Sequence, residues 1–291
     1  MKESPKAYCF FKGKGGGSMR IWVIGRRESA RMLALIGVIL AVLFFGGNFF
    51  RGVQATAASK RQLPIYSVER EGKTISLGIN CAWDNADIPQ LLDILDKAGV
   101  KATFFVVGQW CDKYPESVKA IGDAGHEIGN HSDRHKDMTK LDRAGIVEEI
   151  ENASDKVEKI TGTRPKLFRA PSGAYNDLLV ETARGLGYEV IQWDCDSIDW
   201  KGYTADEICN KVEKKAGPGS ITLFHSGAKH TAEALPRVIE YLKGEGYTIL
   251  PVSEMIYWDN YEMDVQGRQH PLPKAPDSGE TPSFQPEKGR N

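Results

Sequence analysis

The sequence lacks an excess of either charge and lacks any paired cysteine motif. Its 38 Lys and Arg against 39 Asp and Glu give no electrostatic argument that the whole chain binds nucleic acid. Five cysteines without a C-x-x-C pair predict neither a disulfide scaffold nor a four-cysteine zinc site; they are Cys9, Cys81, Cys111, Cys195 and Cys209. What is present is a chain of 291 residues, 41% of them hydrophobic, which is long enough for one sizeable globular core.

One long apolar run lies near the amino end, at residues 32–50. It has no charged residue over 19 positions, close to the roughly 20 that cross a bilayer. Eight Lys or Arg precede it, so the charge bias puts the amino end inside the cell. We therefore predict a cytoplasmic tail at 1–31 and a single transmembrane anchor at 32–50, with the main domain outside the cell membrane. The alternative is a secreted protein with a cleaved signal peptide, because residues 55–57 form a small-residue cleavage pattern.

The main domain is predicted at residues 74–260, after a linker at 51–73. Residues 261–291 hold five prolines and few large apolar side chains. A segment of this composition cannot bury enough apolar surface to offset its ordering entropy. We therefore predict a disordered tail at 261–291.

Strand and helix patterns alternate through the main domain. Apolar strand candidates lie at 74–80, 101–108, 126–131, 166–171, 189–194, 220–225 and 247–252. Helical patterns lie at 87–98, 115–124, 141–160, 176–186, 204–215 and 230–243, with Asp87, Asn176 and a Thr204–Glu207 capping box as start signals. About seven strand–helix units predict an α/β fold with a parallel sheet and helices outside it. Both a doubly wound sheet and a (β/α) barrel fit this order.

Polar side chains that can carry chemistry follow five of the predicted strands. They are Asn80 with Cys81, His131 with His135, Arg169, Asp199 and His225. In (β/α) barrels the site is built from residues at the carboxyl ends of the strands. The pattern therefore favours a barrel-like sheet with one central site.

Two histidine motifs are candidates for chemistry at this site. His131 and His135 are four residues apart and can face one metal ion from a helical turn or tight loop; the alternative is a turn with two solvated histidines. His225 ends an apolar strand, and its ordinary pKa near 6.5 suits a general acid. The alternative for His225 is a buried structural histidine.

Two further segments carry charged and aromatic side chains. Residues 192–202 contain three aspartates and two tryptophans; a carboxylate there can orient a histidine, and a tryptophan offers a flat face to a sugar ring. The alternative is an aspartate-rich turn. Arg169 can pair with a carboxylate in the site or form a structural ion pair.

Taken together, these motifs resemble the polysaccharide deacetylases, the NodB-homology or carbohydrate esterase family 4 domain. The resemblance covers residues 74–257 in order. KATFFVVG and GHEIGNHS–RH are similar to the second block of the family, FRAPSGAYN to the third, WDCDSIDWK to the fourth and ITLFHSG to the fifth. With the first block, which is described below, these make five blocks in order, and such a set is far more specific than any one motif.

The resemblance implies a distorted (β/α)7 barrel that removes acetyl groups from N-acetylated sugars, as in peptidoglycan or chitin, by cleaving a non-peptide C–N bond. It implies a divalent metal, typically zinc, held by His131, His135 and one further ligand. His225 would be the general acid, supported by Asp199, and Arg169 would steady the base. The substrate would contact Trp200 and two residues of the third block, Pro171 and Tyr175. The implied partners are a polysaccharide and, through the apolar run, a membrane, with no nucleic acid.

The first block departs from the family pattern. Where the family has aspartates as base and metal ligand, this sequence has Asn80 and Cys81. Three readings stay open: Asp84 or, less favoured, Asp87 replaces the base; Cys81 as a thiolate completes the zinc site; or the domain binds glycan without hydrolysing it. For Cys81, the alternative to a ligand is a small buried residue.

Overall fold

The computed structural model describes residues 30, 31, 34–36, 38, 39 and 61–273. The described residues between 30 and 39 are helical. No helix within the described residues is long and apolar enough to span a bilayer. The predicted anchor at 32–50 lies mostly outside this part of the chain, as do residues 1–29 and 274–291.

Twelve strands are assigned in residues 61–273. They are β1 (Ser67–Val68), β2 (Thr74–Ser76), β3 (Gly78–Cys81), β4 (Thr103–Val106), β5 (Glu127–Asn130), β6 (Leu167–Phe168), β7 (Glu189–Val190), β8 (Cys195–Asp196), β9 (Ser220–His225), β10 (Thr248–Ile249), β11 (Tyr261–Met263) and β12 (Arg268–Pro271). The central strands are parallel in the order β9-β3-β4-β5-β6-β7. β8 also pairs with β9, and β2 lies between β9 and β10. The sheet therefore curls into a half-barrel, consistent with the (β/α)7 barrel that the resemblance implies.

Helices follow the strands and cover the outside of the sheet. They are α1 (Ile88–Ala98), α2 (Gly108–Lys113), α3 (Pro115–Asp123), α4 (Arg143–Thr161), α5 (Asp177–Gly185), α6 (Ala205–Lys215), α7 (Thr231–Gly244) and α8 (Val252–Met255). All four residues of β4 are buried, as expected for a parallel strand covered on both faces. The Asn176 side chain caps α5, and Thr204 with Glu207 forms the predicted capping box of α6. At α1 the Asp87 side chain makes no capping bond.

The folded unit is wider than residues 74–260. β1 pairs with β12 and with β9, and Ile65 bridges to Ile191, so part of the predicted linker belongs to the sheet. β11 and β12 form a hairpin inside the segment predicted to be disordered. The hairpin turn is held by Asp264, whose Oδ1 accepts the Arg268 N–H, and by Gly267 at φ 77°. The prediction was wrong here because backbone pairing, which leaves little trace in composition, orders this polar segment.

Candidate active site

A cavity of about 270 Å³ opens at the carboxyl ends of the central strands. Five of the predicted site residues line it: Asn80, His131, His135, Trp200 and His225. The parallel register explains how they meet, because Asn80 on β3 lies directly beside His225 on β9. His131 follows β5, and its Nδ1 reaches the Arg169 carbonyl at the end of the neighbouring β6.

His225 is held by a buried carboxylate. Its Nδ1 lies 2.8 Å from Asp199 Oδ1, and its backbone N–H donates to Asp199 Oδ2 over 2.7 Å. The Thr231 hydroxyl donates to the same Oδ2, so the carboxylate is fixed from two sides. Because a carboxylate only accepts, Nδ1 carries a hydrogen and Nε2 is the nitrogen that can exchange a proton with a ligand.

His131 and His135 lie together, with ring centroids 5.0 Å apart and the rings at 76°. His131 Nδ1 donates to the Arg169 carbonyl over 2.7 Å, which leaves Nε2 with a lone pair. Burial lowers the pKa of His131 well below its ordinary value, and burial also lowers the pKa of His135. Both rings are therefore neutral at pH 7, the form in which imidazole binds a metal.

Asn80 contacts a buried arginine. The Arg169 side chain is fully buried and donates from Nη1 to Asn80 Oδ1 over 3.1 Å and from Nη2 to the Gln192 carbonyl over 3.2 Å. Its Cζ lies 3.9 Å from the centroid of the Phe105 ring, and Gly78 leaves room for the guanidinium. Burial lowers the pKa of Arg169 to about 9, so it remains a cation at pH 7. Within the described residues it has neutral acceptors and no ion-pair partner.

Cys81 is not placed to bind a metal. Its side chain belongs to the hydrophobic core that includes Leu91 and Val106, and it does not line the cavity. Burial raises the pKa of its thiol to about 12, which opposes formation of the thiolate that binds zinc. Residues 61–273 bring together no group of three His, Cys, Asp or Glu side chains that could hold a metal ion. The structure therefore gives no support to the prediction that Cys81 is a metal ligand, and the donors among the described residues do not complete a three-residue metal set.

Asp84 and Asp87 are turn residues. Asp84 Oδ1 accepts the Ala86 N–H over 3.1 Å, and Asp87 Oδ2 accepts the Gly227 N–H over 2.9 Å. Neither side chain lines the cavity. The structure therefore gives no support to either carboxylate as a replacement base.

Comparison with known proteins agrees with this geometry. The polysaccharide deacetylase family model matches residues 67–191. The chain is 32% identical over 214 residues to the peptidoglycan-N-acetylmuramic acid deacetylase PdaA of Bacillus subtilis (strain 168), a match that covers 71% of this chain and 80% of PdaA. The chain belongs to the polysaccharide deacetylase family. It is also 34% identical to the uncharacterized protein YlxY of the same organism, of which it spans only 60%.

Solved structures include a family member described as inactive. BA3943 of Bacillus anthracis, a pseudoenzyme of carbohydrate esterase family 4 (CE4), matches with 36% identity and a TM-score of 0.65, covering 67% of this chain and 69% of that chain. A mutant of BA3943 with restored enzymatic activity matches with the same identity and TM-score. The polysaccharide deacetylase family therefore includes a pseudoenzyme similar to this chain, and a mutant of that pseudoenzyme has restored enzymatic activity.

Two predicted substrate contacts of the deacetylase domain lie elsewhere. Pro171 is buried and does not line the cavity. Tyr175 packs against Tyr66, and their hydroxyl oxygens are 3.3 Å apart. Ser172, in a left-handed conformation at φ 54°, lines the cavity in their place. Ser172 is thus the residue of the third block that lines the cavity, and the structure gives no support to Pro171 or Tyr175 as a substrate contact.

Six lining residues were not among the predicted site residues: Ala82, Trp83, Ser172, Trp193, Asp196 and Leu223. Asp196 is the one carboxylate among the lining residues, and its Oδ1 accepts the Ile198 N–H over 2.8 Å. Trp193 and Asp196 belong to the segment 192–202, so the local density of tryptophan and aspartate was a usable signal. Trp83 follows Asn80 by three residues, and nothing in the local sequence pattern indicated that its side chain faces the cavity.

Proposed function

We propose that this polysaccharide deacetylase domain binds N-acetylated glycan strands of peptidoglycan and hydrolyses them far more slowly than the same domain with aspartate at position 80. One observation carries the proposal: the Asn80 amide accepts the Arg169 N–H at the strand end where the resemblance implies a general base. An amide does not take up a proton at neutral pH. Loss of a general base typically lowers a rate by a factor on the order of 10²–10⁴.

The general-acid pair, His225 with Asp199, supports recognition of an acetylated amine. Asp199 holds His225 so that Nε2 is the nitrogen free to donate a proton to a leaving amine. The indoles of Trp193 and Trp200 line the same cavity and offer flat apolar surfaces to a sugar ring. These groups can bind and orient the substrate without the base.

The set of side chains that could bind a metal ion is incomplete. A bound divalent metal would polarise the acetyl carbonyl and acidify a water molecule. His131 and His135 are suited to such an ion, but Cys81 lies in the core and no other described side chain completes the set. We therefore assign no hydrolytic step to a metal in the natural sequence.

Metal-dependent deacetylation at an ordinary rate is the second candidate function. It is favoured by the neutral His131 with a lone pair on Nε2 and by the intact His225–Asp199 pair. In this case zinc is the expected metal, and the substrate is peptidoglycan or a chitin-like polysaccharide. Either function suits a domain held outside the cell membrane by residues 32–50, which is the location that we propose, with secretion as the alternative.

The test uses the purified full chain in detergent with N-acetylated peptidoglycan, with and without zinc. Sedimentation with insoluble peptidoglycan measures binding, and release of acetate measures hydrolysis. We expect binding, with acetate release at least a hundredfold below that of the Asn80→Asp variant, which is the lower end of the usual effect of a general base. Zinc-dependent acetate release by the natural chain, above a blank without protein and at the rate of the Asn80→Asp variant, would establish the second candidate. Failure to sediment would overturn the proposal.

A further inference from the structure

We infer that Trp83 is a sugar-contact residue that holds an N-acetylhexosamine ring beside His225, together with Trp200. The inference rests on the proposed function and deepens it by naming a residue that contributes to the affinity of the pocket for the glycan. Three observations carry it: the position of the Trp83 indole, the bonds that fix its loop, and the chemistry of the cavity walls.

The Trp83 indole lies flat against the His225 imidazole. The ring centroids are 5.1 Å apart and the planes are within 19° of parallel. Although one face is stacked in this way, the residue remains 48% exposed and lines the cavity. A large apolar side chain held at the mouth of a polar pocket is a typical ligand contact, because leaving it in water is unfavourable.

The loop that carries Trp83 is fixed by hydrogen bonds of the residues that follow it. The Trp110 indole N–H donates to the Asp84 carbonyl over 3.3 Å, and the Asp84 carboxylate accepts from Ala86. Asp87 accepts the Gly227 N–H, which ties the loop to the residues just after His225. A Cβ on Gly227 would lie 3.2 Å from Asp84 Oδ1, so glycine permits this close approach. Because the loop is already ordered, binding to Trp83 costs little conformational entropy.

The cavity walls match the two-sided character of a sugar ring. Trp200, also 48% exposed, lines the cavity from the segment that supplies Asp199. Three residues with polar side chains, Asn80, His131 and Asp196, line the same space. A pyranose ring has apolar C–H faces and polar edges, which suit indole faces and convergent polar groups. At about 270 Å³ the cavity lies just below the roughly 300–1,000 Å³ of pockets for drug-sized ligands, which fits one ring of a longer chain.

The test measures binding of chitotetraose, a tetramer of N-acetylglucosamine, to the full chain by isothermal titration calorimetry. We expect Trp83→Ala to weaken binding at least tenfold, which corresponds to about 1.4 kcal/mol. Trp83→Phe should keep most of the affinity, since it retains a flat aromatic face. Trp258→Ala is the matched control, because Trp258 is 44% exposed but lines a different cavity, near His126. We expect its affinity to equal that of the natural chain.

The outcomes distinguish a failure of the proposed function from a failure of this inference alone. If neither chitotetraose nor peptidoglycan binds the natural chain, the proposed function fails and the inference fails with it. If the natural chain binds and Trp83→Ala binds equally well, the inference alone fails. Equal losses in Trp83→Ala and Trp258→Ala would also overturn it, as would equal affinity for cellotetraose, which has the same ring and no acetamido group. Thermal unfolding of each variant confirms that a loss of binding is not a loss of folding.

Discussion

Replacing Asn80 by aspartate changes one atom of the amide into a carboxylate oxygen and gives Arg169 the ion-pair partner that it lacks. In the natural chain Arg169 Nη1 is 3.1 Å from Asn80 Oδ1, so the new charge needs no rearrangement to reach the guanidinium. At an effective dielectric constant of about 20, unit charges roughly 4 Å apart attract by about 4 kcal/mol. Burying the carboxylate costs several kcal/mol. Because these two energies nearly cancel, we expect the free energy of unfolding to change by less than about 2 kcal/mol.

The effect of Asn80→Asp on the rate should be much larger than its effect on stability. The carboxylate would supply a general base beside His225, which is worth a factor on the order of 10²–10⁴, or about 3–5 kcal/mol of activation free energy. The assay is acetate release from chitotetraose in the presence of zinc, with urea unfolding measured in parallel. Asn85→Asp is the matched control, because it adds the same charge to the neighbouring loop without lining the cavity.

Two results would refute this reasoning. If the natural chain already releases acetate within tenfold of the Asn80→Asp rate, the base is supplied by another residue. If both chains are inactive although both bind glycan, the missing base is not what limits the rate, and the incomplete metal set becomes the cause.

Three further predictions follow from buried groups. Burial lowers the pKa of His126 to about 4, so between pH 6.5 and pH 4 the unfolded chain is protonated at this residue and the folded chain is not. We therefore expect the free energy of unfolding to fall by up to about 3 kcal/mol from pH 6.5 to pH 4. Urea unfolding at each pH should show that the His126→Asn variant lacks this decrease. In a zinc titration, the His131→Ala variant should bind zinc at least tenfold more weakly than the natural chain, and the Cys81→Ser variant should bind it equally well. Weaker zinc binding by Cys81→Ser than by His131→Ala would instead identify Cys81 as a ligand. Gly78→Ala should destabilise the fold by about 1–3 kcal/mol, because its Cβ would lie 2.7 Å from Arg169 Nη2 and 2.8 Å from the Thr222 carbonyl; unchanged thermal unfolding would contradict the tight contact.

The helices of the deacetylase domain were predictable because their signals are local. The predicted helix at 87–98 is observed at Ile88–Ala98, and the one at 204–215 at Ala205–Lys215 with its capping box. Apolar spacing and a capping side chain act within one or two turns, so they can be read without knowing the fold. The parallel sheet and the meeting of histidines at one edge of it followed from the same alternation of strands and helices.

The direction of individual side chains could not be read in this way. Successive residues of a strand face opposite sides of a sheet, and the sequence does not say which of Asn80 and Cys81 faces the cavity. The structure turns Asn80 toward Arg169 and Cys81 into the core. The short strands β8 and β12 were missed for a related reason, since their order comes from pairing with β9 and β1 and not from an apolar period of their own.

The pairing of β1 with both β9 and β12 has a mechanical consequence. A pull on the residues before 61 would first load Leu63, whose carbonyl is held by Arg184, and Ile65, which bridges to Ile191. It would then reach β1, where Ser67 pairs with Ser220 on one side and Arg268 on the other. Load is therefore shared among Arg184, Ile191, the start of β9 and the closing hairpin before it reaches β3, β4 or β5. Asn80 lies on β3 and His131 follows β5, so the cavity that they line can keep its shape while the amino-terminal segment is pulled.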